Sequence, residues 1–363
     1  MKSFSRLIIL LLSAILLLSV SLLLVLTSQT ATPNDMAGTE NSNPFDPEET
    51  TGTTLPDSSA DTSEAPSTIT TDTLPPETTE PPVTTEPPPP VLPSLSVTDS
   101  LLAKQVFVYD VMGDSFLFEK GTDDAILPAS ITKILTALYA LEVCPPETLF
   151  YPKDELSLVG AGSSLAYIKT NHILTLEMLI EGMLLPSGND AAYVVAAGTA
   201  RYVTGDSNMP AKEAVAYFME QANAFAVSLG CTGTVYSVPD GLAYKNHYTS
   251  AHDLAILGKA ALANPIIAKY ASTVSERVVY ASKHTNTWTN TNQLINPSSP
   301  HYSPYVTGLK TGSLTNHYCL FVSAEIKGRT FLIGIFGAPN TNARYRDATT
   351  LIGELEQLMN TYA

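Results

Sequence analysis

Ser130 and Lys133 stand three residues apart near the start of the apolar segment Pro128–Leu138. On a helix, positions i and i+3 share one face, so the Ser130 Oγ and the Lys133 Nζ can meet. A lysine buried in an apolar segment resists protonation, and a neutral amine can accept the proton of a hydroxyl. The pair therefore predicts a nucleophilic serine with a lysine as its base.

Two further short stretches carry residues that suit a reaction site. Ser187–Asn189 connects two predicted helices, where small and polar side chains can project into a cleft. Lys310–Gly312 is predicted to start a strand, and its lysine and threonine suit a substrate carboxylate. Its glycine is predicted to let a bound chain approach the backbone. The ordered set S-x-x-K, S-x-N and K-T-G is far more specific than any one of its parts.

These three motifs match the active-site set of penicillin-binding proteins and class A β-lactamases. Over about Val106 to Leu358, the chain resembles the low-molecular-mass D-alanyl-D-alanine carboxypeptidases, serine peptidase family S11. The segments that carry the resemblance are Pro128–Lys133, Ser187–Ala192, Asp240–Leu242, Tyr248–Ala255 and Gly308–Gly312.

The resemblance implies four catalytic residues. Ser130 would be the acylated nucleophile and Lys133 the base that activates it. Ser187 would relay a proton to the leaving D-alanine, and Asn189 would orient the substrate amide and the lysine.

The resemblance also implies a binding site for the terminal carboxylate of the substrate. Lys310 and Thr311 would hold that carboxylate, with Gly312 and Ser313 beside them. The backbone N–H groups of Ser130 and Ser313 would form the oxyanion hole.

The implied fold is α+β, the serine β-lactamase/D,D-peptidase-like fold: a five-stranded antiparallel sheet flanked by helices, with an all-α subdomain. The implied activity is removal of the terminal D-alanine from peptidoglycan pentapeptide stems through an acyl-enzyme, with β-lactam antibiotics as covalent inhibitors. No metal and no cofactor are expected. Relatives differ from this chain in the loop Ser313–His317, which is one residue shorter here, so side-chain preference and rate are not implied.

Two other functions fit the same fold. A class A-like β-lactamase needs a separate carboxylate for fast deacylation, and Glu220 with Asn223 is the only similar pair, inside a predicted helix. A non-catalytic cell-wall-binding protein is disfavoured because all three motifs are intact. Asp190, His252 and Asp253 are interpreted as helix-start residues.

Hydrophobic patterning places strands at both ends of the domain and helices between them, which predicts one sheet built from both termini. The predicted strands are Gln105–Tyr109, Ser115–Phe118, Tyr318–Ile326 and Thr330–Phe336. The predicted helices run from about Ser130 to before Pro145, and over Leu174–Leu185, Asp190–Arg201, Ala211–Leu229, Ser250–Leu262 and Asp347–Tyr362.

The N-terminus predicts export. Lys2 and Arg6 precede the uncharged, 21-residue run Leu7–Thr27, which suits a membrane-spanning helix better than the core of a cleaved signal. The positive residues on its N-terminal side place the rest outside the cytoplasm, anchored in the bacterial membrane or secreted into the wall. The predicted domains are residues 1–27 (anchor or signal), 28–95 (linker) and 96–363 (catalytic).

Composition excludes several classes of protein. The net charge of −16 is concentrated in the Thr-, Pro- and Glu-rich linker, which is predicted to be disordered. No basic cluster indicates a nucleic-acid partner. The cysteines Cys144, Cys231 and Cys319 are predicted to be buried thiols, and the six histidines lack zinc-site spacing.

Overall fold

The computed structural model describes residues 90–97, 100–243 and 245–362. The predicted anchor and residues 28–89 of the predicted linker lie outside this range. Among the described residues, no helix combines the length and the apolarity needed to cross a membrane.

The sheet is built from both ends of the domain, as the sequence predicts. Its five strands are β1 Gln105–Asp110, β2 Ser115–Lys120, β7 Val306–Leu314, β8 His317–Ile326 and β9 Arg329–Ala338. Neighbouring strands are antiparallel, and their spatial order is β2-β1-β9-β8-β7. Four of them confirm the predicted strands, and the α+β class is confirmed with them.

The β8–β9 hairpin has the turn that its sequence predicts. Lys327 and Gly328 both have positive φ angles, 51° and 76°. Two consecutive residues with positive φ match the right-handed twist of the strands that they join.

The two faces of the sheet belong to different cores. One face, which includes Phe107, Phe321 and Phe336, packs against the helical lobe. The other face, which includes Val322 and Ile333, packs against the C-terminal helix. Because successive side chains of a strand point to opposite faces, both cores require apolar residues, and the central strands read as nearly continuous apolar runs.

The helical middle matches the prediction in outline. Its elements are α1 Lys133–Val143, β3 Leu149–Phe150, β4 Leu174–Thr175, α2 Leu176–Leu184, α3 Asn189–Thr204, α4 Ala211–Ser228, α5 Ala251–Ala263, α6 Pro265–Ser272, β5 Ser275–Val279 and β6 Thr285–Thr289, and α7 Thr341–Tyr362 closes the chain. At the start of α5, the Ser250 Oγ accepts from the Asp253 N–H at 3.1 Å, as predicted. All three cysteines are free and buried, as predicted.

Several elements differ from the prediction. Helix α6 and the β5–β6 hairpin were not predicted. The predicted start of the last helix at Asp347 is wrong: α7 begins at Thr341, because the Asn340 Oδ1 accepts from the Ala343 N–H at 2.9 Å. The predicted helix from Leu174 begins two residues later, since the Thr175 hydroxyl caps it.

Packing reaches into the segment predicted to be linker. Leu92 and Leu95 are buried in the core beneath the C-terminal helix. The Leu95 N–H donates to the Leu117 carbonyl at 2.7 Å, which holds the segment along β2. The folded part of the chain therefore includes residues before the predicted boundary at 96.

Candidate active site

Ser130, the predicted nucleophile, lies in a short 3₁₀ turn, Ala129–Thr132, that leads directly into helix α1; we call it the nucleophile turn. The helix was predicted to begin at about Ser130; the first turn is instead wound more tightly. The Lys133 Nζ lies 2.9 Å from the Ser130 Oγ. The spacing in the sequence thus brings the two side chains into contact, although the turn between them is not α-helical.

Lys133 is completely buried and uses all three hydrogen-bonding positions of its amine. Besides Ser130, its Nζ contacts the Asn189 Oδ1 and the Asp240 carbonyl, both at 2.8 Å. Burial lowers the pKa of Lys133 to about 8, against the opposing effect of the Asp240 and Asp190 carboxylates. About a tenth of the amine is therefore neutral at pH 7, and about half at pH 8, and this neutral form can accept the Ser130 proton.

Asn189 begins helix α3 and joins the lysine to a loop that the sequence analysis did not single out. Its Nδ2 donates to the Ser163 Oγ at 2.9 Å, and its backbone N–H donates to the Ser164 carbonyl at 2.8 Å. These contacts orient the amide so that its oxygen faces Lys133. The sequence signal for Ser163 is weak, since its partner is 26 residues away.

Asp190 has a structural role, as predicted, but a larger one than that of a first-turn charge. Its two carboxylate oxygens accept from the backbone N–H groups of Ala166 and Ile168, both at 2.8 Å. The Trp288 Nε1 donates to the Ala166 carbonyl at 3.0 Å from the other side. The loop that carries Ser163 is therefore held in place along its C-terminal half.

Ser187 is buried and has a left-handed backbone, with φ at 63°. It lies two residues before Asn189, yet it is not among the residues that line the cavity beside Ser130. Of the four predicted catalytic residues, Ser130 and Asn189 line that cavity, and Lys133 contacts both of them from the interior. Its role as a proton relay stays a prediction.

Lys310 lies in the middle of β7, so its predicted position at the start of a strand is wrong. The strand begins at Val306, and its register with β8 shifts between Val306 and Gly308. The Lys310 Nζ donates to the Thr311 carbonyl at 3.1 Å. Burial lowers the pKa of Lys310 well below its usual value, and the nearby cations Lys133 and Arg344 lower it further.

Gly312 brings β7 against the nucleophile turn. A Cβ at this position would lie 3.0 Å from both the Ala129 Cβ and the Pro128 carbonyl oxygen, and 3.2 Å from the Cys319 Cβ. The sequence predicts that this glycine lets a bound substrate chain approach the backbone. The close approach in the structure is instead internal, between the strand and the turn before Ser130.

Arg344, in the first turn of α7, is a site residue that the sequence analysis missed. Its buried guanidinium donates through Nη1 to the Gly312 carbonyl at 3.0 Å, to the Ser313 Oγ at 3.2 Å and to the Cys319 carbonyl at 3.2 Å. No local pattern marks it, because its partners are 25 to 32 residues away. It places a guanidinium charge close enough to Lys310 to disfavour protonation of that lysine.

His317, the last residue of the loop Ser313–His317, anchors that loop to the chain before Ser130. Its Nε2 donates to the Leu127 carbonyl at 2.8 Å, three residues before the nucleophile. The loop Ser313–His317 thus contacts the chain that leads into Ser130, and its first two residues, Ser313 and Leu314, line the site.

The side chains around Ser130 enclose a small cavity. Gly241 and Leu242, from the segment that follows Asp240, close one side of it. The cavity is lined by Ser130, Gly162, Ser163, Ser164, Asn189, Gly241, Leu242, Ser313 and Leu314. Within residues 90–97, 100–243 and 245–362, no three His, Cys, Asp or Glu side chains converge as metal ligands would.

A protein-family model described as D-alanyl-D-alanine carboxypeptidase, Peptidase_S11, matches residues 93–340. The chain is 28% identical over 243 residues to the D-alanyl-D-alanine carboxypeptidase DacF of Bacillus subtilis, covering 65% of this chain and 57% of DacF. It is 26% identical over 263 residues to DacC of Escherichia coli, covering 70% and 61%. The aligned region thus spans about three fifths of the length of these two relatives.

A solved structure has the same fold. The crystal structure of the Streptomyces K15 DD-transpeptidase superposes with a TM-score of 0.62 at 25% sequence identity, over 70% of this chain and 97% of that one. The D-alanyl-D-alanine carboxypeptidase of Streptomyces sp. strain K15 is 28% identical over 250 residues, covering 65% of this chain and 81% of that protein.

The lowered pKa of Lys133 predicts how the reactivity of Ser130 depends on pH. The rate of Ser130 acylation should rise about tenfold per pH unit below about 8 and level off above it, because only the neutral amine accepts the hydroxyl proton. The measurement is the acylation rate from about pH 5 to 10 with a neutral activated ester, whose lack of a carboxylate removes any dependence on Lys310. A plateau reached only near the ordinary lysine pKa of about 10.4 would contradict the assignment.

Proposed function

This chain belongs to the D-alanyl-D-alanine carboxypeptidase family, and from that membership we propose that it is a serine-type carboxypeptidase that releases the terminal D-alanine of peptidoglycan stem peptides. One observation carries the proposal: Ser130, Lys133 and Asn189 form a continuous hydrogen-bonded array. Ser130 and Asn189 line a cavity that Ser313, from strand β7, also lines. The array can activate a nucleophile, and β7 supplies Lys310, whose amine can pair with a substrate carboxylate.

The first half of the reaction is acylation of Ser130. The neutral Lys133 amine takes the hydroxyl proton as the Ser130 Oγ attacks the carbonyl carbon of the penultimate D-alanine. The tetrahedral intermediate collapses with cleavage of the C–N bond, and the leaving D-alanine amine takes up a proton. That proton comes from the Lys133 ammonium, by way of the Ser187 hydroxyl in the relay that the family resemblance implies. Water then hydrolyses the ester and regenerates Ser130.

Stabilisation of the oxyanion is assigned to two backbone N–H groups, those of Ser130 and Ser313. The close approach of β7 to the nucleophile turn at Gly312 supports this assignment, because it brings the two residues to one cavity. A single oxyanion-hole donor is typically worth about a hundredfold to a thousandfold in rate.

Recognition of the terminal carboxylate is assigned to Lys310, Thr311 and Ser313, with Arg344 behind them. Burial, together with the nearby charges of Lys133 and Arg344, disfavours the protonated form of Lys310 and lowers its pKa. A bound carboxylate would offset the repulsion and restore the charge on Lys310. This requirement for an anion is a reason for the enzyme to act at a free C-terminus.

The β-lactamase alternative lacks a supporting carboxylate. Glu220 is exposed on α4, and Asn223 is occupied by the backbone of Tyr236, through an N–H···O=C bond at 2.8 Å in each direction. Among the described residues that line the Ser130 cavity there is no Asp or Glu. A penicillin bound to Ser130 is therefore expected to persist, as suits a penicillin-binding carboxypeptidase.

We propose that residues 1–27 are an N-terminal anchor or signal, followed by a spacer that ends in the packed segment around Leu92 and Leu95. This arrangement would hold the catalytic domain outside the cytoplasm, against the wall peptides that it trims.

Replacing the nucleophile tests the proposed reaction. The Ser130→Ala variant should release no D-alanine from a peptide ending in D-Ala-D-Ala, since the attacking oxygen is gone, and its unfolding free energy should change by less than about 1 kcal/mol. Released D-alanine is measured by a coupled oxidase assay. The matched control is Ser228→Ala, an exposed serine on α4, which should retain full activity. Release by Ser130→Ala at the wild-type rate would show that another residue is the nucleophile.

Replacing the buried lysine of β7 tests the carboxylate assignment. The wild type should prefer a free-acid substrate over its C-terminal amide by about tenfold to a hundredfold in kcat/KM, the range of a charge-assisted hydrogen bond. Lys310→Ala should lose most of that preference by losing activity on the acid alone. Lys212→Ala, at an exposed position, is the control and should keep it. An unchanged preference in Lys310→Ala would refute the role of Lys310.

A further inference from the structure

The Ser130 N–H is one end of the peptide unit whose other end is the Ala129 carbonyl. Because a trans peptide is planar, its N–H and C=O point in opposite directions, and fixing one fixes the other. In the proposed function this N–H donates to the oxyanion. Any group that holds the Ala129 carbonyl therefore aims a donor of the oxyanion hole.

The Ala129 carbonyl is held on two sides. The Thr132 Oγ1 donates to it at 2.8 Å. Gly241 packs directly against it, and a Cβ at Gly241 would lie only 1.9 Å from the carbonyl oxygen. Ala129 itself has a φ of 51°, a left-handed conformation that costs a non-glycine residue about 1 to 3 kcal/mol. The turn therefore depends on its surroundings to keep this conformation.

His247 determines which way the Thr132 hydroxyl points. The His247 Nδ1 accepts from the Ser237 backbone N–H at 3.0 Å, so the proton of the neutral ring is on Nε2. The Nε2 lies 2.7 Å from the Thr132 Oγ1 and donates to it. The threonine oxygen then accepts from His247, and its own proton is directed to the Ala129 carbonyl.

The array is fully enclosed. Thr132 has no exposed surface, and His247 is 3% exposed. The imidazole stacks on the Tyr236 ring, with centroids 4.7 Å apart. Burial lowers the pKa of His247 to about 4, which keeps the ring neutral at physiological pH, and the Ser237 N–H keeps the single ring proton on Nε2. Hydrogen bonds in series polarise one another in such surroundings, so the array also strengthens the Ser130 N–H as a donor.

We propose that His247 is a positioning residue for the oxyanion hole, acting through the Thr132 hydroxyl on the Ala129–Ser130 peptide. This inference rests on the proposed function, since it needs an oxyanion at Ser130. The N–H group meets a full negative charge only in the transition state. Loss of the array should therefore lower kcat and leave the affinity for substrate nearly unchanged.

The test compares variants that remove one donor each. His247→Phe keeps an aromatic ring against Tyr236 but cannot donate to Thr132, and Thr132→Val removes the hydroxyl. Each should lower kcat for D-alanine release about tenfold to a hundredfold, with KM within about twofold of the wild type. The double variant should be no worse than the poorer single variant, because both changes break the same array. Affinity for a boronic acid that forms a tetrahedral adduct should fall by the same factor as kcat.

Two controls separate positioning from general stability. His247→Gln, whose side-chain amide can donate to Thr132, should recover most of kcat. His172→Phe replaces another buried histidine, which packs edge-on against Tyr280 at 4.9 Å, and should lower the melting temperature without changing kcat.

The outcomes decide between the two proposals. Unchanged kcat in His247→Phe, or additive losses in the double variant, would overturn the role of His247. If His247→Phe does not fold, Thr132→Val decides, and an unchanged kcat there overturns it too. A wild-type protein that releases no D-alanine and forms no boronate adduct would instead overturn the proposed function.

Discussion

Everything in the site depends on keeping the Lys133 amine in the interior of the protein. Desolvation disfavours an ammonium group there. The amine is instead stabilised by hydrogen bonds to three oxygen atoms, from Ser130, Asn189 and Asp240. The pKa of Lys133 is therefore lowered to about 8, so that part of the amine is neutral near neutral pH and can act as a base. The elements around it are arranged to supply those partners, and each comes from a different part of the chain.

Close backbone approach is the second constraint, and small residues provide it. Gly312 lets β7 reach the nucleophile turn, and Gly241 lets the segment after Asp240 reach the same turn from another side. The turn between them has a left-handed alanine, so its shape is imposed by its neighbours rather than by local preference. The nucleophile turn is thus held by contacts from strand β7 at Gly312 and from the loop that contains Gly241 and His247.

The sequence predicts contacts between residues that are close in the chain, and features that belong to a recognisable motif or hydrophobic pattern. The Ser130–Lys133 contact follows from spacing alone, and the sheet follows from apolar strands at both ends of the domain. The contacts of Ser163, His247 and Arg344 could not be predicted in this way. Their partners are 25 to 115 residues distant and are often backbone atoms, which leave no pattern of side-chain types. The position of Lys310 within β7 could not be predicted either, because the strand extends four residues before it, from Val306, across a shift in register between Val306 and Gly308.

The central claim is that Ser130 is the residue that becomes acylated, in a cavity with no carboxylate among its described lining residues to release a bound drug. Intact-mass spectrometry of the wild-type protein after a pulse of benzylpenicillin, followed by peptide mapping, tests it most directly. One penicilloyl group per chain is expected, on the peptide that contains Ser130, and it should persist over many minutes after free drug is removed. An adduct on another residue, or no adduct at all, would contradict the assignment of Ser130, and an adduct lost within seconds would contradict the carboxypeptidase and favour a β-lactamase.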